Sequence, residues 1–291
     1  MSQIGLVVHP SRAIDGPLDA LKRWAGGREV SVVQVRDSGQ RRQVAVEGDG
    51  ADCDVIVSIG GDGTTLAALR AGARAGRPVL GVACGSLGVL TAVAAHGIDG
   101  ALERFSGGDW VPRPLPALDI TGGGTRARFA LNDAAIVRGG GGQLRLAASI
   151  DGILFARLAG DGCVVSTPIG SSAYALAAGG PLLTPDAEAF LLTPLPTHGG
   201  YHPPLVVSSA STVELEVRGG YGGSRLEMDG QVVENELGRL KVEYRPAAAT
   251  LVGFVDQEPF LTGLRRRNIL TDSPRILAER DPEAGETRTG L

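Results

Sequence analysis

The segment Val55-Ile-Val-Ser-Ile-Gly-Gly-Asp-Gly-Thr-Thr-Leu66 decides how the first part of this chain folds. Its apolar half is typical of a buried strand in a parallel sheet, and its glycines predict a turn into a helix that begins at Thr64. In open α/β sheets, ligands gather at the carboxyl ends of the strands, where this turn lies. Because glycines admit a close ligand and a helix N-terminus presents free N–H groups, the turn favours a phosphate.

Asp62 is the unusual residue of this turn, because a carboxylate repels phosphate. We predict that Asp62 is a base for an attacking hydroxyl or a contact to Mg²⁺. The alternative is a plain Gly-Asp-Gly turn that caps a helix, and this segment alone does not separate the two. The predicted phosphate-binding residues are Gly60, Gly61, Gly63 and Thr64.

Composition and charge exclude several classes of protein. The formal net charge is −4, and the strongest basic run is Arg265-Arg266-Arg267, a pattern typical of a helix end or a solvated face, so we expect no nucleic-acid partner. Lys22 and Lys241 are the only lysines in the sequence. The chain therefore lacks the Gly-Lys-Ser/Thr of a P-loop and the strand lysine of a protein kinase.

Neither a membrane segment nor a secretion signal is expected. No stretch reaches the roughly 18 consecutive apolar residues that span a bilayer, and the first apolar run has no basic flank or cleavage site. We expect a cytoplasmic protein with no membrane partner. Cys53, Cys84 and Cys163 are widely spaced and are predicted to be buried thiols rather than disulfide or zinc ligands.

Hydrophobic patterning predicts two domains. An α/β, Rossmann-like domain at 1–108, completed by residues from about 250–268, precedes a mostly β domain at 109–250 and a loosely ordered tail at 269–291. In the first domain, the predicted strands are 4–8, 30–35, 55–59 and 79–82, and the predicted helices are 17–24 and 64–73. In the rest of the chain, the predicted strands are 118–121, 127–137, 144–150, 154–158, 163–166, 205–207, 212–217, 226–228, 240–244 and 251–254, the last returning to the first domain.

The Asp151-Gly152 pair lies between two of these apolar runs. It predicts a tight hairpin with positive φ at both central positions, as a type I′ turn requires.

A second polar cluster runs from Asp161 to Pro181. A short strand ends at Ser166 and Thr167, and a Pro-Ile-Gly turn then leads into a helix whose start carries serines, so the helix start is suited to an anion. Tyr174 could stack on a base or ring. A capped helix would explain the serines, but it would not explain Gly179-Gly180-Pro181.

A third polar group, Asn132-Asp133, interrupts the apolar stretch 129–137. Two adjacent polar side chains in such a stretch must find partners or face a ligand. An Asn-Asp turn is the alternative.

Taken in this order, the three segments strongly resemble the NAD kinase family. That family shows Gly-Gly-Asp-Gly-Thr, then Asn-Glu, then Asp-Gly followed by Ser-Thr-Pro-Thr-Gly-Ser-Thr-Ala-Tyr and Ala-Gly-Gly-Pro. The similarity covers roughly residues 3–268. Further matches are the Gly85-Ser-Leu-Gly-Val-Leu-Thr91 segment, Leu192-Thr193-Pro194 with His198, and Asp229-Gly230-Gln231.

The resemblance implies a two-domain fold with the active site in the cleft, and a homodimer or homotetramer. ATP would be the phosphoryl donor, with Mg²⁺ or another divalent cation, and Asp62 would activate the 2′-hydroxyl of the adenosine ribose of NAD. Asn132 and Asp133 would hold ribose hydroxyls and the adenine side, and Asp161 would lie near the nicotinamide end. The resemblance also implies that the dinucleotide pocket is lined by Ser166, Thr167, Ser172, Ala173, Tyr174 and Ala177.

Departures from the family pattern cluster on the acceptor side. Small residues at Ala83, Ser86 and Val89 replace an amide, a larger polar group and an aromatic ring, and Asp133 replaces the family's Glu. Three hypotheses follow. The chain is an NAD kinase that uses ATP or polyphosphate, or a diverged kinase for a nucleoside, sugar or cyclitol, or a non-catalytic nucleotide sensor. Asp62 argues against the sensor, because a binding module needs no carboxylate beside phosphate.

Overall fold

In the computed structural model, which describes residues 1–36, 42–122 and 125–280, the first part of the chain alternates strands with helices, as its pattern predicts. Short apolar runs form strands because successive side chains meet core on both faces of the sheet. The elements are β1 (Gln3–Val8), α1 (Asp15–Gly26), β2 (Ser31–Val35), β3 (Glu47–Gly48), β4 (Val55–Gly60), α2 (Asp62–Ala75), β5 (Val79–Ala83), β6 (Val93–Ala94) and α3 (Ile98–Ser106).

The rest of the chain is mostly β-structure, followed by two helices at the C-terminal end of the described residues. The elements are β7 (Val111–Gly122), β8 (Thr125–Ala130), β9 (Asp133–Arg138), β10 (Leu144–Ile150), β11 (Ile153–Gly160), β12 (Gly162–Ser166), α4 (Tyr174–Ala177), β13 (Ala189–Pro194), β14 (Leu205–Ser208), β15 (Thr212–Arg218), β16 (Ser224–Met228), β17 (Gln231–Asn235), β18 (Arg239–Gly253), α5 (Phe260–Arg266) and α6 (Pro274–Arg280).

The larger sheet runs through both parts of the chain, with the strand order β11-β10-β15-β18-β5-β4-β1-β2-β3. Its N-terminal half is parallel, and β18 extends it because Leu251 pairs with Val79 of β5. The two strands predicted at 240–244 and 251–254 are one strand with an irregularity between Arg245 and Ala249. The same strand also pairs antiparallel with β7 and β15. This strand therefore carries the sheet from one half of the molecule into the other.

The second sheet has the strand order β14-β13-β12-β9-β16-β17, and its pairs are antiparallel. Alternate residues of β9 and β12, such as Ile136 and Val165, face a core shared with Leu146 of β10 and Val213 of β15. The other face of β9 and β12 packs with Ala175 of α4. Side chains that project from this outer face beyond α4 can contact a ligand.

Helix α2 links the two halves through its packing. Leu66 and Leu69 of α2 share a core with Ile56 of β4, and the same core contains Leu131 and Ile169. Helices α1 and α3 pack on the opposite face of the parallel strands. Burying Leu131 and Ile169 in the core that contains Leu66 and Leu69 places the Asn132 turn and the 166–174 segment beside α2.

Several predictions are confirmed and others are wrong. Asp151 and Gly152 have φ of 50° and 79°, so the hairpin is of the predicted kind. The strand predicted at 127–137 is wrong, because β8 ends at Ala130 and β9 begins at Asp133. Helix α2 begins at Asp62 rather than Thr64, which places the Asp62 carboxylate in the first turn of the helix, where the helix dipole stabilises it.

Further features concern the thiols and the C-terminal segment. Cys53 and Cys163 are buried and Cys84 is half-buried, and all three are free.

Helix α6 lies in the segment predicted as a loosely ordered tail, and residues 281–291 lie outside the described residues. Within the described ranges, no helix is both long and apolar enough to cross a membrane.

Candidate active site

The turn between β4 and α2 offers open backbone. Gly61 is the N-cap of α2, has φ of −134° and provides no side-chain cap, so the first N–H groups of the helix have no intrahelical acceptor. A Cβ built on Gly61 or Gly63 would meet no described atom within 4 Å, whereas a Cβ on Gly60 would overlap Thr64. Packing therefore requires Gly60, while Gly61 and Gly63 leave the backbone accessible to a ligand.

The Asp62 carboxylate holds the loop that follows β5. Its Oδ2 accepts a hydrogen bond from the Val89 N–H at 2.9 Å, and its Oδ1 accepts one from the Leu90 N–H at 2.9 Å. Nη1 of Arg267 lies 3.3 Å from Oδ2. A Cβ on Gly88 would overlap the carboxylate, so the loop can close on Asp62 only with glycine there. The Asp62 side chain remains 35% exposed, so a substrate hydroxyl can reach it.

Asp229 holds the Asn132 turn in a similar way. Its Oδ1 accepts from the Asn132 N–H at 2.7 Å and its Oδ2 from the Leu131 N–H at 3.2 Å, and Nη1 of Arg70 lies 3.4 Å from Oδ2. Because these two N–H groups bond to a carboxylate rather than to a neighbouring strand, the extended segment breaks between β8 and β9. Asn132 therefore directly precedes β9 and Asp133 is its first residue, and both lie beside the layer of α2.

The 166–174 segment is joined to that turn. The Thr167 hydroxyl donates to the Leu131 carbonyl at 2.7 Å and accepts from the Gly170 N–H at 3.1 Å. A Cβ on Gly170 would overlap the Asn132 backbone, so the two segments pack backbone to backbone. The Ser172 hydroxyl donates to the Ile169 carbonyl at 3.0 Å. Thr167 therefore supports the site, because its hydroxyl is already occupied within the protein.

Unpartnered polar atoms mark the same place. Asn132 Oδ1, Ser166 Oγ and Thr193 Oγ1 are buried and have no hydrogen-bond partner in the described part of the chain. Ser166 lies directly opposite Asp133 in the pairing of β12 with β9. Buried polar groups are nearly always hydrogen-bonded, so these atoms indicate where a ligand or water would bind.

Carboxyl groups surround the exposed ring of Tyr174. Burial, followed by the charges of Asp229 and Glu227, raises the pKa of Asp133 to about 7. The pKa of Tyr174 is also raised, first by burial and then by the charges of Glu227, Asp133 and Asp161. Burial is the larger cause of both shifts, and negative charge gathered on the outer face of β9, β12 and β16 adds to it. Such a face repels free phosphate and suits sugar hydroxyls, which can donate to carboxylates.

Asp161 lies at the far edge of this face. It precedes β12, whereas Ser166 ends that strand, so about 16 Å of extended chain separates them at roughly 3.3 Å per residue. Its Oδ1 accepts from Arg138 Nε at 2.6 Å. Ala173 and Ala177 are exposed along the short helix α4. The predicted residues thus lie along one polar band, with Asn132 and Ser166 at one end of β12 and Asp161 at the other.

Sequence reasoning missed three residues of the site as candidates. Asp229 was visible only as part of an Asp-Gly-Gln match, and Glu227 only as one position of a strand. Arg265 and Arg266 pair with Asp272 and Glu258, as the predicted helix end requires, but Arg267 turns inward to Asp62. No local pattern distinguishes Arg267 from its neighbours.

In the described residues, no three His, Cys, Asp or Glu side chains are grouped to hold a metal ion. Asp62 supplies one carboxylate beside the open helix start. Mg²⁺ is commonly bound by one or two carboxylates together with substrate phosphates. The residues therefore fit a Mg²⁺ ion that arrives with the donor phosphates.

Two family models match this chain. The ATP-NAD kinase N-terminal domain matches residues 18–110, and the ATP-NAD kinase C-terminal domain matches residues 131–244. The two matches contain the glycine turn and the polar band respectively.

Curated relatives carry the name NAD kinase. The Desulforamulus reducens protein is 33% identical over 79% of this chain and 84% of its own length. The Methanopyrus kandleri protein is 35% identical over 78% of this chain and 83% of its own length. The Acidovorax ebreus protein is 38% identical over 62% of each chain, so that alignment spans less than two thirds of the relative.

Solved structures share the fold. Yeast NADH kinase complexed with NADH superposes with a TM-score of 0.77 at 21% identity, covering 94% of this chain and 89% of the yeast chain. An NAD kinase from Archaeoglobus fulgidus in complex with ATP gives 0.73 at 24% identity, covering 92% of this chain and 100% of the archaeal chain. At these identities the likeness concerns the fold, which is the predicted α/β and β-rich arrangement.

Proposed function

Because this chain belongs to the NAD kinase family, we propose that it transfers the terminal phosphoryl group of ATP to the 2′-hydroxyl of the adenosine ribose of NAD, giving NADP. One observation carries the proposal. The partly exposed Asp62 carboxylate lies at an uncapped helix N-terminus, and the layer of α2 packs against the turn that bears Asn132. This packing supports a base and a phosphate-binding helix end at the start of α2, with a hydroxyl-binding face packed beside the same helix.

On the donor side, we assign the backbone from Gly60 to Thr64 to the phosphates. A Mg²⁺ ion bound with ATP beside Asp62 would offset their charge. Asp62 accepts the proton of the attacking hydroxyl as the new P–O bond forms. The N–H groups of Val89 and Leu90 hold the carboxylate in position for this step.

On the acceptor side, we assign Asn132, Asp133 and Ser166 to the ribose and adenine end of NAD. The unpartnered Asn132 Oδ1 and Ser166 Oγ support this assignment, because each would gain a hydrogen bond. We assign the band that leads away from them to the rest of the dinucleotide, with Asp161 at its end. The other residues assigned to this band are Ser172, Ala173, Tyr174 and Ala177, with the buried Thr167 supporting the band through its bonds to Leu131 and Gly170.

A second candidate is a kinase for another small-molecule hydroxyl, such as a nucleoside, sugar or cyclitol. Val89 favours this second candidate. Its N–H bonds to Asp62, so the residue lies beside the proposed base, and its side chain stands where the family pattern has an aromatic ring. A ring lost from the acceptor side would weaken stacking on adenine. The nucleotide sensor is less well supported, since Asp62 remains accessible.

An acceptor panel tests the first proposal. Purified protein is incubated with ATP and Mg²⁺ together with NAD, NADH, adenosine, glucose or a cyclitol, and phosphorylated products are separated by chromatography. Parallel reactions replace ATP with polyphosphate. We expect product with NAD and the phosphate on the 2′-oxygen. If only the sugar, cyclitol or nucleoside is phosphorylated, that compound is the acceptor and the assignment of NAD is wrong. Binding without turnover would support the nucleotide sensor.

The cytoplasmic location and the homodimeric or homotetrameric state expected from the sequence stay predictions. Light scattering on the purified full chain measures the second of these directly.

A further inference from the structure

Arg267 reaches into the candidate active site from the C-terminal end of α5. Its Nη1 lies 3.3 Å from Asp62 Oδ2, and its Nε donates to the Gly263 carbonyl at 3.2 Å. The side chain is 18% exposed, much less than those of Arg265 and Arg266 at 52% and 37%. Of these three consecutive arginines, only Arg267 contacts the proposed base.

The other end of the guanidinium lacks an acceptor. Arg267 Nη2 is buried and makes no hydrogen bond to the described residues. Buried guanidinium N–H groups are nearly always partnered, and the planar fork of arginine is suited to phosphate oxygens. An anionic group next to Asp62 would complete the hydrogen bonding of Nη2 after a small movement of the side chain.

Bound phosphates beside Asp62 would require a positive charge at the same position. A carboxylate beside a phosphate chain is repulsive, and phosphoryl transfer relies on positive groups that neutralise the equatorial oxygens. Neither lysine lies at this site, because Lys22 Nζ bonds to the Val44 carbonyl on the outside of α1 and Lys241 pairs with Glu243 on β18. Arg267 is the cationic side chain that directly contacts Asp62 in the described residues.

We propose that Arg267 is a catalytic residue that binds the phosphoryl group while it passes from donor to acceptor. The terminal P–O bond of the nucleoside triphosphate breaks, a P–O bond to the acceptor hydroxyl forms, and the hydroxyl proton goes to Asp62. The Arg267 N–H groups donate to the non-bridging oxygens of the moving group and release Asp62 Oδ2 for the hydroxyl. This inference rests on the proposed function and names a residue that the proposed function does not require.

The test compares Arg267→Ala, Arg267→Lys and the matched control Arg265→Ala, whose guanidinium pairs with Asp272 on the surface. Because an arginine that stabilises a transferring phosphoryl group contributes strongly to turnover, we expect kcat of Arg267→Ala to fall about 10²- to 10³-fold, with KM for the acceptor changed less than about threefold. Arg267→Lys should retain an intermediate rate. Arg265→Ala should match the unsubstituted protein.

Chemical rescue separates this role from simple positioning of Asp62. Guanidinium ion at millimolar concentration should raise the turnover of Arg267→Ala about tenfold, because it can occupy the vacated position beside the phosphoryl group. It should leave Arg265→Ala unaffected. Unchanged kcat in Arg267→Ala would overturn the proposal. So would a fall in kcat that guanidinium does not rescue and that is matched by an equal rise in KM for the acceptor.

A binding measurement keeps the two proposals distinguishable. Calorimetry with a non-hydrolysable ATP analogue and Mg²⁺ should show affinity for the full chain that Arg267→Ala weakens about tenfold. If the unsubstituted protein phosphorylates none of the acceptors, the kinase function fails and this measurement alone decides whether Arg267 binds phosphate. Equal affinity in Arg267→Ala would then overturn the assignment. Thermal unfolding of each variant verifies that it is folded.

Discussion

Asp62 and Asp229 make nearly the same contacts in two different parts of the molecule. Each carboxylate accepts hydrogen bonds from two consecutive backbone N–H groups of a loop, and each has an arginine Nη1 within 3.4 Å. They differ in exposure, because the Asp229 side chain is 1% exposed and that of Asp62 is 35% exposed. The same local chemistry thus serves a buried position and one that solvent can reach.

This difference indicates what each carboxylate can do. Asp229 has its oxygens occupied in the interior, so it can only position the turn that bears Asn132 and Asp133. Asp62 holds its loop in the same way while part of its surface remains free for a hydroxyl. Hydrogen bonding alone therefore does not identify the base, whereas exposure next to the uncapped start of α2 does.

The largest expected effect comes from Asp62→Asn. The amide keeps nearly the shape of the carboxylate but cannot accept a proton, so we expect turnover to fall about 10²- to 10⁴-fold. The free energy of unfolding should change by about 1 kcal/mol, because the position is partly exposed. Steady-state kinetics and urea unfolding measure the two quantities. Wild-type turnover in a folded Asp62→Asn protein would make the base assignment wrong.

Asp229→Ala should show the opposite pattern. Removing this buried carboxylate leaves the N–H groups of Leu131 and Asn132 without their acceptor, so we expect a loss of about 3 kcal/mol in the free energy of unfolding. Asp54→Ala is the matched control, because its half-buried carboxylate also accepts from two backbone N–H groups, those of Ser2 and Gln3. We expect the control to cost about 1 kcal/mol or less. Equal losses in the two variants would show that burial does not separate these carboxylates.

A smaller effect concerns Asp133, which lies next to Asp229 and has a pKa raised to about 7. Between its unfolded pKa near 3.8 and about 7, the folded state holds a proton that the unfolded state has lost. Asp133 therefore favours folding at low pH, and this contribution is lost as pH rises through about 7. The loss between pH 5 and pH 8 should be about 2 to 3 kcal/mol.

Asp133→Asn removes the titrating group and should flatten this part of the pH dependence. Urea unfolding at pH 5 and pH 8, without ligands, gives the change in the free energy of unfolding for each protein. The titration of the other groups cancels when the two changes are subtracted. If both proteins lose the same stability between these pH values, Asp133 is not protonated in the folded state. A shallower slope in Glu227→Gln would further show that neighbouring charge contributes to the raised pKa.

The sequence predicted the parts of the molecule that depend on local pattern. The glycine turn, the helices on either side of the parallel strands and the Asp151-Gly152 hairpin follow from periodicity and turn chemistry, which act over a few residues. The order of the polar segments carried the family resemblance, and the resemblance added the roles expected of their residues. The strand predicted at 127–137 was wrong because a distant carboxylate, 97 residues further along the chain, takes the Asn132 N–H.

Contacts made over long sequence separations could not be predicted in this way. Arg267 lies 205 residues from Asp62, and its neighbours Arg265 and Arg266 have the same side chain and remain on the surface. Only the packing of α5 determines which of the three turns inward. The pKa of Asp133 likewise depends on burial and on charges carried by another strand, neither of which appears in the local sequence.

The long strand β18 has a consequence for the order in which the chain can fold as it is synthesised. The parallel sheet of the first hundred residues lacks one neighbour of β5 until Leu251 has left the ribosome. An open edge of this kind can pair with other chains. The sheet that begins in the first hundred residues is therefore completed only after most of the chain has been synthesised.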